Sequence, residues 1–264
     1  MNNRPIGIIA SDSAARPVAE RLAACGQRVL LYQIDAAHHG KLPKNIEAAA
    51  TPTDIGFDCE IVLSFIDDTT TFRELLIGTP QRLGLGAEMN PGAILVDFSV
   101  RPPRESQALL GVIGMRGVAI LDAAFVGNTG NMAGDVEGGH AALLLGGFPT
   151  SVDQVVPILA HLGRVDCTGP LGSAHTAAAL MGYMEAAHHI AHDEALSVGR
   201  ALGIAGDALT RLLDGDTGTA AAPNIIRLAK RTSLALRLAQ DRGVQADIID
   251  FTGARLADVL TRRS

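Results

Sequence analysis

A long helical pattern in the sequence carries side chains that could transfer protons. It runs from Ala174 to Leu202, and His175 and Glu185 fall near one face of it. Imidazole and carboxylate groups are the usual general acids and bases of enzymes. At the helix start the dipole favours a neutral His175 imidazole that could act as a base, although a histidine exposed to water is an equal interpretation. We take His175, Glu185 and Asp122, at the end of a predicted strand, as candidate catalytic residues.

The same helix allows two other interpretations. His188 and His192 have the i, i+4 spacing of two zinc ligands, and Glu185 could join them. Alternatively, the histidines, including His189, and Glu185 pair with one another in a packed helical core or a dimer interface. Because the sequence has no His-Glu-x-x-His motif, we predict no metal site.

The segment GIIASDSAARPVAERLAACGQRVLLY, residues 7–32, has the strand–turn–helix–strand order of a nucleotide-binding unit without its glycines. A dinucleotide-binding turn carries Gly-x-Gly-x-x-Gly, and these places hold Ala10, Asp12 and Ala15. Asp12 puts a carboxylate where a pyrophosphate would sit, and it would equally serve as a helix cap. If a nucleotide binds, the candidate contacts are Ala10, Ser11, Asp12 and Ser13 in the turn and Gln33 at the end of the second strand.

The elements that must position these residues alternate between strand and helix in the first 165 residues. Short apolar strands separated by helices predict an α/β domain with a doubly wound parallel sheet. After a cluster of glycine and proline at 163–172, only helical patterns follow, so we predict domains at 1–165 and 166–264. The predicted strands are Ile6–Ile9, Val29–Tyr32, Ile46–Ala50, Glu60–Ile66, Ala93–Asp97, Ala119–Asp122 and His140–Leu145. The predicted helices are Ala14–Cys25, Thr70–Leu76, Pro103–Met115, Ala174–Leu202, Ala205–Leu213, Ala220–Leu238 and Ala246–Leu260.

Composition excludes several classes of partner. The 264 residues have a formal net charge of −6 with no basic stripe, so we expect no nucleic-acid partner. No apolar run approaches the ~18 residues of a membrane span, and the N-terminus lacks a signal-peptide pattern. Three widely spaced cysteines are typical of reduced thiols. We therefore expect a cytoplasmic protein without a membrane partner.

The order of motifs resembles the β-hydroxyacid dehydrogenase family, which includes 3-hydroxyisobutyrate and 6-phosphogluconate dehydrogenases. Besides residues 7–32, the segments EIVLSFIDDTTTFRELLIG, GAILVDFS, LDAAFVGNTG and GPLGSAHTAAALMGYMEAA follow the family's motifs across nearly the whole chain. The resemblance implies an N-terminal Rossmann-like sheet domain, an all-α domain built on one long helix, and a homodimer formed through the helical domain. It also implies NAD or NADP as cofactor and a small-molecule substrate.

The resemblance assigns further positions and departs at several of them. Ser99 joins the candidate cofactor contacts, and the substrate-binding segment falls on Val126, Gly127 and Asn128. The family's catalytic Lys falls on Ala178, its following Asn on Gly182, and a late Lys-Asp segment is not recognisable. Because Ala178 has no titratable group, we expect the Lys-assisted alcohol dehydrogenation to be lost.

Three functions remain open from the sequence. The first is a divergent NAD(P)-dependent oxidoreductase that acts on a small molecule. The second is a lyase, hydratase or isomerase that moves protons with His175, Glu185 or Asp122 and uses no nucleotide. The third is a catalytically silent protein that binds a small ligand or a paralogue.

Overall fold

The computed structural model describes residues 4–11, 15–34, 42–127, 131–214 and 224–263. The chain divides into two compact units. The first comprises Met1–Val126 and Met132–Ala177, and the second comprises Gly127–Asn131 and Ala178–Ser264. The division falls inside the longest helix, so the first turn of that helix belongs to the same unit as the sheet.

The first unit is built on an eight-stranded sheet with the strand order β10-β9-β8-β7-β4-β1-β2-β3. The order reverses at β1, which lies between β2 and β4, and such a reversal opens a crevice at the carboxyl ends of the strands. The strands of this sheet are β1 (Ile6–Ala10), β2 (Val29–Gln33), β3 (Ile46–Ala48), β4 (Ile61–Phe65), β7 (Ile94–Asp97), β8 (Ala119–Val126), β9 (Ala141–Gly146) and β10 (Gly163–Gly169). A separate two-residue pair joins β5 (Gly78–Thr79) to β6 (Arg82–Leu83).

Helices cover both faces of this sheet, as the apolar strands predict. One face packs Ile8, Leu63, Val96 and Leu121 into a core that includes α1, and the other packs Val62, Leu95 and Ile120 into a second core. The helices of this unit are α1 (Arg16–Ala24), α2 (Pro52–Asp58), α3 (Thr69–Ile77), α4 (Leu85–Glu88), α5 (Pro103–Ile113), α6 (Met132–Gly138) and α7 (Pro149–Leu159). This arrangement confirms the predicted doubly wound α/β architecture.

The far edge of the sheet differs from the sequence-based expectation. β8 and β9 pair antiparallel, so the sheet is mostly, not wholly, parallel. The predicted boundary at residue 165 lies inside β10, which pairs with β9. The glycines of this stretch end and bend a strand rather than form a linker: Gly163 and Gly169 have φ angles of 155° and 124°.

The described secondary-structure elements of the second unit are all helices. α8 (Ser173–Ala201) matches the predicted long helix closely and is followed by α9 (Gly206–Asp214), α10 (Ile225–Asp241) and α11 (Asp247–Arg263). Its small core joins Ala186 on α8 to Ile225 and Leu228 on α10 and Leu256 on α11. The three later helices were all expected, with ends that differ by a few residues.

Candidate functional site

A buried ion pair lies at the carboxyl end of β7. The Asp97 carboxylate and the Arg101 guanidinium are 1% and 2% exposed, and Arg101 Nε is 2.5 Å from Asp97 Oδ2. Arg101 also donates to the carbonyl oxygen of Ile66 at 2.7 Å and to Thr69 Oγ1 at 3.2 Å, and it stacks over the Phe72 ring. A buried charge needs such a set of partners, since an unpaired one is strongly unfavourable. Arg101 therefore ties the ends of β4 and β7 to the start of α3.

Asp122, in β8, anchors the first turn of α8. It is fully buried and is the register partner of Asp97. Its Oδ1 accepts from Gly172 N at 2.7 Å, and its Oδ2 accepts from His175 N at 2.8 Å. A carboxylate in this place accepts hydrogen bonds from two N–H groups at a helix start, and its negative charge interacts favourably with the positive end of the helix dipole. A Cβ on Gly146 would lie 2.5 Å from Asp122 Oδ1, so the close approach requires glycine there.

His175 is fully buried, so the interpretation of a histidine exposed to water is wrong. Its Nε2 lies 3.0 Å from the carbonyl oxygen of Asp97. Since a carbonyl only accepts, Nε2 carries the proton, and in the neutral ring Nδ1 is left as an acceptor. Nδ1 has no hydrogen-bond partner among the described residues. The structure thus brings Asp122 and His175 together through backbone bonds that hold α8, and their catalytic role stays a prediction.

The described residues among those expected to contact a nucleotide lie at the carboxyl ends of β1, β2 and β7. Ala10 and Gln33 end these strands and are register partners, with Gln33 9% exposed. Both Ser11 N and Ser11 Oγ donate to the Phe65 carbonyl oxygen, at 3.1 and 3.3 Å. Ser99 N donates to Asp97 Oδ1, while Ser99 Oγ is buried with no partner among the described residues. Asp12 and Ser13 lie outside the described residues.

The predicted substrate segment begins at the end of β8. Val126 is the last residue of that strand, and Gly127 has a φ of 130°. Asn128 lies outside the described residues. Further along the chain, Met132–Gly138 forms α6.

The second unit places Glu185 in an ion pair with α10. Arg227 Nη2 donates to both oxygens of the Glu185 carboxylate, at 2.9 and 3.1 Å. Arg231, one turn further along α10, is 7% exposed, and its aliphatic part crosses Gly182: a Cβ there would lie 2.5 Å from Arg231 Cδ. Burial of the Arg231 guanidinium is the main reason that its pKa is lowered to about 10, and repulsion from Arg227 lowers the pKa further. Attraction to the Glu185 carboxylate acts in the opposite direction and raises the pKa. Glu185 therefore has a definite structural partner, and its catalytic role stays a prediction.

The sequence interpretation missed both arginines and the reason for glycine at 182. The motif RLAKRTS contains Arg227 and Arg231 at i, i+4, which is the spacing of two side chains on one helix face. That spacing was the available signal. It could not identify the facing helix, because charged residues on an amphipathic helix usually face water.

Two of the remaining histidines of α8 form contacts with an acid of the same helix. His189 Nε2 is 3.5 Å from Asp193 Oδ2, and His192 Nδ1 is 3.9 Å from Asp193 Oδ1. Within the described ranges, no group of three potential metal ligands comes together, His188 and Glu185 included. Over the same ranges, no helix is long and apolar enough to cross a membrane.

A family model described as the NAD binding domain of 6-phosphogluconate dehydrogenase matches residues 7–172. The chain belongs to the β-hydroxyacid dehydrogenase family. Two curated relatives are similar over about four fifths of this chain. An NAD-dependent L-serine dehydrogenase from Pseudomonas aeruginosa is 23% identical and covers 81% of this chain and 70% of its own length. An L-threonate dehydrogenase from Cupriavidus necator is 25% identical over 82% of this chain and 71% of its own length.

Solved structures share the fold of this family member at low sequence identity. A Mycobacterium tuberculosis 3-hydroxyisobutyrate dehydrogenase with L-serine has a TM-score of 0.81 at 16% identity, covering 98% of this chain and 94% of that one. An imine reductase from Myxococcus stipitatus with NAD+ has a TM-score of 0.68 at 17% identity, and the match covers 98% of this chain and 94% of that one. The match extends over both the sheet domain and the helical domain. The predicted Rossmann-like and all-α fold is therefore confirmed.

Proposed function

We propose that this family member is an NAD(P)-dependent oxidoreductase that reduces a C=N bond in a small molecule. The observation that carries the proposal is Ala178, a fully buried methyl group where the family resemblance places the catalytic lysine. Oxidation of an alcohol needs a base for the hydroxyl proton. A protonated C=N bond needs only a hydride at carbon, which yields the amine, so the missing lysine is no obstacle.

The residues present fit a dinucleotide. Strand order reverses at β1, the place where doubly wound folds bind nucleotides. Gln33 ends β2 with an amide that can hydrogen-bond ribose hydroxyls, and Ser99 Oγ is a buried polar atom with no described partner. When bound, NAD(P)H supplies the hydride. Gln33 would hold the ribose, and Asp122 and His175 would keep the start of α8 in place without exchanging protons.

Titration with NADH and NADPH, followed by nicotinamide fluorescence, tests the cofactor. The variant Asp12→Gly is measured beside the natural protein, since it removes the carboxylate from the predicted nucleotide-binding turn. Micromolar binding by the natural protein supports the cofactor part of the proposal. Oxidation of NAD(P)H in the presence of a cyclic imine supports the reaction. Binding by Asp12→Gly alone means that the carboxylate excludes the cofactor. That result, or no binding by either protein, overturns the proposal in favour of a nucleotide-free enzyme or a binding protein.

We also propose a cytoplasmic homodimer formed through the helical domain. Its support is a set of exposed, large apolar side chains at helical spacing: Leu180, Met181 and Met184 on α8, and Ile248 and Phe251 on α11. Exposed apolar surface of this extent on one domain is typical of an interaction site. Light scattering that gives twice the chain mass would support the dimer, and the mass of one chain at micromolar concentration would exclude it.

A further inference from the structure

The strand β10 forms one edge of the eight-stranded sheet. It pairs with β9 on its inner side, and no strand among the described residues pairs with its outer side. The backbone N–H and C=O groups along such an edge can hydrogen-bond a further extended strand. The opposite edge is β3, which has three residues, whereas β10 has seven. β10 is therefore the longer of the two edges at which the sheet could be extended.

The hydrogen bonds between β9 and β10 determine which backbone groups of β10 point outward. Ala141 N donates to the Leu162 carbonyl oxygen at 3.2 Å, and successive residues of a strand turn their backbone groups to opposite sides. Arg164 and Asp166 therefore face β9, and Val165 between them faces away from the sheet. Within the described ranges, the Val165 N–H and C=O groups have no hydrogen-bond partner.

The side chains of Arg164 and Asp166 form an ion pair on one face of β10. Arg164 Nη2 lies 2.9 Å from Asp166 Oδ2, and the two side chains are 73% and 47% exposed. An ion pair this exposed to water adds little stability within one chain. Val165 alternates to the other face, where it packs against the core that contains α1. The charges are therefore available to a partner strand, while the Val165 side chain stays with its own core.

A second copy of β10 matches these groups in one antiparallel register. When two copies pair about a two-fold axis, residues at equal distances on either side of the axis lie opposite each other. With the axis at Val165, the two Val165 residues exchange a pair of backbone hydrogen bonds, and each Arg164 lies opposite an Asp166. The outward backbone groups and the exposed charges are thus matched at the same time.

Each neighbouring register fails for a physical reason. An axis at Arg164 or at Asp166 places like charges directly opposite each other, which destabilises a strand pair. An axis between two residues sets a backbone group that points outward against one that faces β9, so the central hydrogen bonds are lost. Beyond Cys167 the pairing with β9 shifts register before Gly169, and the regular edge ends there. The charge pattern of β10 is therefore complementary to itself about Val165 alone.

We propose that β10 is an interface between two copies of this chain, which pair antiparallel about Val165 and join their sheets. The pairing sets four charges in an alternating square, because each Arg164 then has one Asp166 beside it on its own strand and another opposite. Such cross-strand pairs of opposite charge stabilise a sheet. The interface uses different residues from the proposed helical homodimer, and the inference is independent of the proposed reaction. Because a short strand is a small interface, we expect a weak association, with a Kd in the micromolar range.

Disulfide cross-linking between two variants tests the register. One chain carries Arg164→Cys and the other, with a longer tag, carries Asp166→Cys, and both carry Cys25→Ser and Cys167→Ser to remove the other thiols that are not buried. In the proposed pair the two introduced thiols lie opposite each other with Cα atoms ~4.5 Å apart, within disulfide range, and the second Arg164–Asp166 pair remains. Two copies of either chain alone hold their introduced thiols on Cα atoms ~8 Å apart, beyond that range. We therefore expect a disulfide-linked dimer from the oxidised mixture and from neither chain alone.

Charge reversal tests the ion pairs by sedimentation velocity. Arg164→Asp places carboxylates opposite carboxylates, and we expect about tenfold weaker association through β10. Arg164→Asp combined with Asp166→Arg restores the alternating charges and should restore the association. Arg28→Asp is the matched control, because Arg28 forms a similarly exposed ion pair with Glu47 at the opposite edge of the sheet and should leave the association unchanged.

Val165→Pro gives an independent check on the backbone bonds. An edge strand tolerates proline where the N–H points outward, so this variant keeps the bonds to β9 and loses those to the second copy. We expect it to remain folded by circular dichroism and to fail to associate through β10.

Each outcome supports or overturns the inference. Cross-linking in the mixture alone, with association restored by the double charge reversal, supports the interface. No cross-link, or cross-linking of either chain with itself as readily as in the mixture, overturns it, and the charges of β10 then serve only to protect an exposed edge. Association that is unchanged in Arg164→Asp and in folded Val165→Pro means that another surface, such as the helical domain, joins the copies. That result also overturns the inference and leaves the proposed helical homodimer intact.

Discussion

Replacing Asp122 by asparagine separates the anchoring of α8 from proton transfer. In the structure the carboxylate accepts two backbone N–H bonds, of 2.7 and 2.8 Å, at a site with no solvent exposure. The amide retains one accepting oxygen and turns an NH2 group toward the other N–H. One hydrogen bond to a charged group, worth about 1.5–3 kcal/mol, is lost, and the other weakens to a neutral bond. We expect Asp122→Asn to destabilise the anchor by about 2–4 kcal/mol.

Hydrogen exchange at the amides of Gly172 and His175 is the sharpest assay, because it reports on the anchor rather than on the whole chain. A loss of 2–4 kcal/mol corresponds to roughly 30- to 700-fold faster exchange, provided that local opening exposes these amides. Chemical unfolding provides the global readout, in which the two units can unfold in separate transitions.

Asp68 offers a matched control. It caps α3 as Asp122 holds α8, with Oδ1 accepting from Thr71 N at 2.7 Å, but it is exposed. The hydrogen bonds from the Thr71 side chain and backbone lower the pKa of Asp68. Because asparagine is about as good a cap as aspartate in water, Asp68→Asn should change stability little. Unchanged exchange at Gly172 and His175 in Asp122→Asn would refute the anchoring argument, and loss of turnover with unchanged exchange would make Asp122 a catalytic residue.

Two further predictions follow from close packing and from a buried thiol. Gly182→Ala should be less favourable than Gly253→Ala by about 1–3 kcal/mol, because a Cβ at 182 overlaps Arg231 while one at 253 meets only an ordinary 3.9 Å contact. Urea unfolding checks this, and a difference that persists in Arg231→Gly, which removes both the Cδ and the Cβ of Arg231, would exclude the overlap as its cause. Burial of the Cys59 thiol raises its pKa from 9.0 to about 12, and the nearby Asp58 carboxylate contributes to the rise. The raised value stabilises the folded state below pH 9, and this contribution is lost as pH rises toward 12. The unfolding free energy of the natural protein should therefore fall more steeply over that range than that of Cys59→Ala, and parallel curves would contradict the assignment.

The sequence predicted the elements whose hydrophobic periodicity is strong, and it missed elements that are short or that depend on tertiary contacts. The apolar strand at Ile6 and the long helix α8 were both clear from pattern. α2 was missed although Thr51 and Asp54 form a capping box. That signal was available, but the helix has seven residues, too few for a periodic pattern to emerge. β10 was missed because GRVDCTG has little apolar content, and its pairing with β9 is a tertiary contact.

The candidate site was harder to predict because its side chains are defined by distant partners. Glu185 was chosen for its chemistry, but the residue that binds it, Arg227, is 42 positions later in the chain. His175 was placed correctly at a helix start, yet its hydrogen-bond partner, the Asp97 carbonyl, is 78 positions earlier. Spacing within one helix identifies a shared face, and only the fold decides what that face meets.

The two faces of the sheet carry different groups at the carboxyl ends of the strands. On the polar face, Asp97 is paired with Arg101, and both oxygens of Asp122 accept hydrogen bonds from backbone N–H groups, so Asp122 holds the start of α8. On the other face, Ala10 is the register partner of both Gln33 and Phe65, so the strand ends change from a hydrogen-bonding amide to an aromatic ring within three adjacent strands. Side chains alternate between the faces along each strand, so Gln33, which we propose to hold the ribose of a nucleotide, lies on the face opposite the carboxylates of Asp97 and Asp122.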